Sequence, residues 1–131
     1  MWQLAVETHQ QEELLDITSQ VSQLVEPSAE GALLIYVPHT TAGVLINEHA
    51  DPDVARDVLT TLDHIVPESL PYRHIEGNSP AHVKAVLAGA SQLVPIREGR
   101  LQLGTWQGIF FAEFDGPRRR SVLISHLGPG Q

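Results

Sequence analysis

Residues 74–84 read HIEGNSPAHVK, two imidazoles, a carboxylate and an ammonium around a Gly-Asn-Ser turn. Gly77 supplies a backbone angle that other residues resist. Asn78 or Ser79 is a natural helix cap, and Pro80 suits the first helical position. A helix start leaves N–H groups unpaired at the positive end of the helix dipole, which is the chemistry of an anion site. His82 falls in the first turn and reaches that space, while His74 and Glu76 enter from the other side. Lys84 adds charge there or points to solvent. The plainer alternative is a capped helix with two surface histidines, since His-x7-His is not a standard zinc spacing.

Three further clusters carry chemistry. Pro38-His39-Thr40-Thr41-Ala42-Gly43 puts an imidazole and two hydroxyls between two apolar runs. Hydroxyls and backbone N–H groups suit phosphate oxygens, although threonines in a turn also cap their own backbone. With His74 and His82, His39 could complete a three-histidine metal site that leaves a position open for water. Residues 47–53, NEHADPD, offer Glu48, Asp51 and Asp53 for magnesium. Asp51 and Asp53 are also explained as first-turn helix carboxylates, which leaves Glu48 as the stronger catalytic candidate and His49 as a packing or solvent residue. In LGTWQGIFFAEFDGPRRR, residues 103–120, Trp106 and Gln107 could close over a ligand, and Phe110, Phe111 and Phe114 read as core. Glu113 fits an edge strand with one exposed face, and Arg118-Arg119-Arg120 a solvated strand edge. Tyr72, His9, His64 and His126 stand out from no background.

The elements that must hold these residues follow from periodicity. WQLAVET alternates as a strand. Ile17, Val21, Leu24 and Val25 predict an amphipathic helix over 16–26, stopped by Pro27. Residues 32–37 and 43–47 read as buried strands, and the short segment between them suggests antiparallel neighbours. Asp51-Pro52 opens a second helix with Val54, Val58, Leu59 and Leu62 on its apolar face. Ser79-Pro80 opens a third, which ends near Gly89. SQLVPI, GRLQLG, GIFFAEF and RSVLISHL read as strands between turns. The fold class is α+β, a two-layer, largely antiparallel β-sheet with helices on one face.

Composition narrows the partners. The 131 residues suggest a single domain, 1–131, large enough to bury a core. A net charge of −8 lacks the basic footprint that nucleic acid or an anionic membrane requires. With no cysteine, disulfides and thiolate sites are excluded. The amino terminus has no basic, apolar leader and the chain has no spanning run, so the expected location is cytoplasmic.

In order and spacing, PHTTAGVLINE, ADPDV, HIEGNSPAH and LGTWQGIFFAEFDGPRRR resemble the YjbQ-like family, described as secondary thiamine-phosphate synthases. The resemblance covers nearly everything beyond about residue 30. It departs at His49, where the family pattern has an asparagine-like residue. It implies an α+β homotrimer with one pocket lined by His39, His74 and His82 that takes a divalent metal, zinc or magnesium, or a sulfate-like anion. It also implies binding of a small phosphorylated substrate; on the reading of the residues given above, Thr40, Thr41, Gly77, Asn78 and Ser79 would surround that substrate and Glu48 would act as base or metal ligand.

The implied reaction moves a hydroxymethylpyrimidine group from its diphosphate to a thiazole phosphate and releases diphosphate. Charge stabilisation of that leaving group would be the main catalytic contribution. Dedicated thiamine-phosphate synthases are (β/α)8 barrels of about 250 residues, so a shared activity would be convergent. The rival readings are zinc-dependent hydrolysis by a water held on three histidines, and a binder of metal or anion without turnover.

Overall fold

Trp2–Glu7 (β1) alternates Trp2, Leu4 and Val6 with Gln3, Ala5 and Glu7. In the computed structural model, which describes residues 1–129, the first set turns toward the core. β1 pairs with Arg119–Leu127 (β8), and β8 pairs in turn with Gly31–Tyr36 (β3). Ser91–Arg97 (β5) and the two-residue Arg100–Leu101 (β6) complete a five-stranded sheet in the order β1-β8-β3-β5-β6. Glu13–Asp16 (β2), Gln107–Glu113 (β7) and Ala42–Glu48 (β4) form a second sheet in the order β2-β7-β4. Every pairing is antiparallel.

The small sheet is the middle layer. One face, with Val44, Ile109 and Phe111, packs against Leu33, Ile35, Val94 and Ile124 of the large sheet. Its other face, with Ala112, Phe114 and Leu45, receives the helices Pro52–Ile65 (α2) and Ser79–Ala88 (α3) through Leu59, Leu62, Ala81 and Ala85. Both faces of β7 are therefore covered, and six of its seven residues are buried. The expected α+β architecture, with helices on one face of a layered antiparallel sheet, is what the chain adopts.

Three local expectations are corrected. The strands β3 and β4 do not pair; residues 37–41 carry the chain from the large sheet to the small one. Pro38 has no N–H to continue a ladder, and Val37 instead donates to Ala90 O at 2.7 Å. The helix expected over 16–26 is a short one, Thr18–Ser22 (α1), preceded by β2. Leu14 and Leu15 face opposite sides of the small sheet, so β2 shows no apolar alternation to read. The strand expected at GRLQLG shrinks to β6.

One close approach sets the site. A Cβ on Gly43 would lie 2.6 Å from Gly89 O and 3.0 Å from Ala88 Cβ. Glycine here lets the end of α3 settle on the start of β4, and Val44 N donates to Gly89 O at 3.0 Å. The His39 loop is thus pinned at both ends to residues 89–90.

Candidate functional site

Docking α3 against the start of β4 opens a cleft of about 320 Å³. His82, Ala85, Val86 and Gly89, spaced as one stripe of a helix, form one wall, and His39, Thr40 and Ala42 form the other. His74 does not line it but meets His82 edge-on, with ring centroids 5.2 Å apart and planes at 87°. His74 Nε2 also lies 4.0 Å from Glu76 Oε1. His82, on α3, thus neighbours both His39 across the cleft and His74 in the turn before the helix.

His39 is partly buried, and its Nε2 accepts the backbone N–H of Ser121 at 3.0 Å. An imidazole nitrogen that accepts has no proton of its own, so the neutral ring carries its proton on Nδ1. Burial and then the Arg120 guanidinium hold the pKa of His39 below its ordinary value, against the smaller opposing effect of the Glu113 carboxylate. His39 therefore lines the cleft as a neutral ring with its proton on Nδ1.

Behind the cleft lies a buried charge pair that the sequence pattern did not suggest. Glu113 is fully buried and Arg120 is 4% exposed. Arg120 Nε donates to Glu113 Oε1 at 2.9 Å, and its Nη2 to Glu113 Oε2 and to Thr41 Oγ1, the latter at 2.9 Å. Thr8 Oγ1 donates to Glu113 Oε1 at 2.8 Å and the Asp115 N–H to Oε2 at 3.1 Å. Burial alone would raise the pKa of Glu113, but these hydrogen bonds, led by Arg120, hold it below the usual carboxylate value. The exposed-edge readings of Glu113 and Arg120 are corrected: β7 is a central strand, and Arg120 points into the sandwich. Glu113 shares the strand parity of Ile109 and Phe111, which was the legible signal. Arg118 does face solvent, where it pairs with Asp115 Oδ2 at 3.1 Å.

Other candidates lie elsewhere. Thr41 is buried against Arg120 and does not line the cleft. Gly77, with φ +76°, and Asn78 border a separate crevice with Glu12, Glu68, Glu76 and Asp115. Those carboxylates oppose an anion at the start of α3. Asn78 holds the cap position without a capping bond, and its Nδ2 donates to Asp115 Oδ2 at 2.9 Å. Ser79 opens the helix behind it. Lys84 is buried rather than solvent-facing and is paired with Asp63 and with Glu12, the latter at 2.6 Å.

Glu48 sits at the far end of β4 from His39. The strand's seven residues, at about 3.3 Å each, put roughly 20 Å between its ends. Its Oε2 accepts from Ala50 N at 2.8 Å. Asp51 caps α2 through Asp53 N at 2.9 Å, and Asp53 pairs with Arg56 at 2.8 Å. Trp106, 63% exposed, lies at that same far end. Among the described residues no three His, Asp or Glu side chains are placed to hold a metal ion. In addition, the Nε2 lone pair of His39 is already occupied. The donor set of this chain by itself does not fit the zinc or magnesium ion that the resemblance implied.

A sequence profile for the family described as UPF0047 protein YjbQ-like matches residues 2–129. A UPF0047 protein of Methanocaldococcus jannaschii is 48% identical over 130 residues, covering 98% of this chain and 94% of that protein. The Bacillus subtilis UPF0047 protein YugU is 50% identical over 128 residues, covering 95% and 97% respectively. Among solved structures, a Clostridium acetobutylicum protein of the YjbQ/UPF0047 family superposes with a TM-score of 0.94 at 46% identity, covering 97% of this chain and all of that one. A conserved hypothetical protein from Thermus thermophilus superposes with a TM-score of 0.91 at 43% identity, covering 97% of this chain and all of that one.

Proposed function

This chain belongs to the UPF0047 YjbQ-like family, and we propose that its His39–His82 cleft binds the phosphate-bearing end of a small molecule and supports transfer chemistry of the thiamine-phosphate synthase type. In that reaction the bond from the pyrimidine methylene carbon to the diphosphate oxygen breaks. A bond from that carbon to the thiazole nitrogen forms, and diphosphate departs with the electron pair. The observation that carries the reading is the shared cleft of His39, Thr40 and His82, in which His39 is fixed as an N–H donor.

Donors aimed at the departing oxygens stabilise the charge that develops there. His39 Nδ1–H, the Thr40 hydroxyl and the His82 ring supply them. Ala42, Ala85 and Val86 offer an apolar wall to a flat heterocycle. A homotrimer is part of the proposal: Tyr36, Leu87 and Leu93 expose apolar side chains on β3, α3 and β5 that a second copy would cover.

Thiamine phosphate formation from the two phosphorylated precursors is expected, and His82→Ala should lower it at least tenfold. Turnover unchanged in the variant would remove the chemistry from this cleft. Light scattering that returns a monomer at micromolar concentration would refute the trimer.

A further inference from the structure

Resting on that reading of the cleft, we propose that the buried Glu113–Arg120 pair is its positioning unit, fixing the His39 ring as an Nδ1–H donor and so selecting ligands that present oxyanions. The geometry is a closed circuit. Arg120 Nη2 donates to Thr41 Oγ1 at 2.9 Å and to Thr41 O at 3.4 Å. Thr41 is two residues from His39, Arg120 is bonded to Ser121, and Ser121 N–H returns to His39 Nε2 at 3.0 Å. Each link between the loop and β8 is a covalent bond or one hydrogen bond. Phe114 N closes on Thr41 O at 3.2 Å from the end of β7.

Glu113 sets the angle of the guanidinium. It takes the Nε and Nη2 edge of Arg120 side-on, which leaves Nη2 directed at Thr41 as well. A planar fork can serve two partners in fixed directions, whereas an ammonium cannot. A buried ion pair generally adds little stability over apolar side chains of the same size. Its place in an otherwise apolar sandwich is accounted for by the geometry it imposes. With Nε2 filled by Ser121, the His39 ring has only its Nδ1–H left to offer, and that group calls for an acceptor such as a phosphate oxygen.

The test is nitrogen NMR on the full-length protein with labelled histidine, the His39 signals being identified by their loss in His39→Asn. Wild type should show His39 protonated on Nδ1 alone. Thr41→Val keeps the charge pair but removes one arm of the circuit. It should show a mixture of tautomers and bind inorganic pyrophosphate about tenfold more weakly, the size of one hydrogen bond to a charged group. Thr41→Ser should restore both. Arg120→Lys, which retains charge without the fork, should also give the mixture. A folded Thr41→Val or Arg120→Lys protein with the wild-type tautomer pattern overturns the inference. If wild type binds no pyrophosphate, the proposed function fails, and the tautomer comparison still decides the positioning role.

Discussion

Strand β4 has a histidine just beyond each end, and the two rings are held in opposite ways. His39 accepts an N–H from Ser121 through Nε2. His49 places Nδ1 2.8 Å from the Asp16 carboxylate, which accepts and never donates while ionised. Asp16 also receives the Thr18 N–H at 3.0 Å, and Thr18 Oγ1 receives Ile109 N–H at 2.8 Å. His39 looks into a cleft with a buried ion pair behind it. His49 lies over Gly108, where a Cβ would sit 2.3 Å from Nδ1. The same side chain lines a cleft at one end and covers bare backbone at the other. Its surroundings decide which.

That contrast is broken most severely at its buried end. Glu113→Gln leaves the Arg120 guanidinium buried without its counter-charge, and should cost about 3–5 kcal/mol. Asp16→Asn, at the exposed end, should cost about 1 kcal/mol or less. Urea denaturation of the two variants measures both, and equal losses would erase the distinction.

Gly108→Ala probes the other histidine. Forcing a methyl against the His49 ring should cost about 1–3 kcal/mol, as overpacking does. In a His49→Ala background the same substitution should fall to within about 0.5 kcal/mol. A penalty that survives in the double variant would mean that the ring is not what makes glycine necessary there.

The smallest effect is in pH dependence. The folded-state pKa of His39 lies below its ordinary 6.5 because burial, and then Arg120, disfavour the cation. The unfolded chain therefore binds the proton more readily, and stability rises with pH across this range. The contribution is complete above about 6.5 and is lost as pH falls through the folded-state value. His39→Gln should flatten the stability curve just below pH 6.5. Thermal melts of wild type and this variant from pH 7.5 to 5 give the comparison, and identical slopes would reject it.

Much of the site was legible because its chemistry was local. The Asp51 cap, the Pro80 helix entry and the positive φ of Gly77 followed from residue types with few alternative conformations. His39, His74 and His82 stood out as imidazoles in polar turns. Glu113 and Arg120 did not, because each reads as an ordinary edge charge until β7 is known to have neighbours on both sides. The anion site expected at the start of α3 depended on what else approached that turn. Glu12, Glu68 and Asp115 come from distant segments, and the sequence holds no sign of their convergence.

By itself the sequence determined most of the strands and helices, the Asp51 cap, the proline-marked starts of α2 and α3, and many of the buried faces set by periods of two and 3.6. Those depend on interactions within a few residues. Tertiary structure decided that residues 37–41 cross between sheets and that α3 presents its flank, not its start, to His39. It also decided that Arg120 turns inward to Glu113 and Thr41. Each of these outcomes is set by which surfaces bury one another across dozens of residues, and a hydrogen bond such as Ser121 N–H to His39 Nε2 exists only once that packing has brought its two partners together.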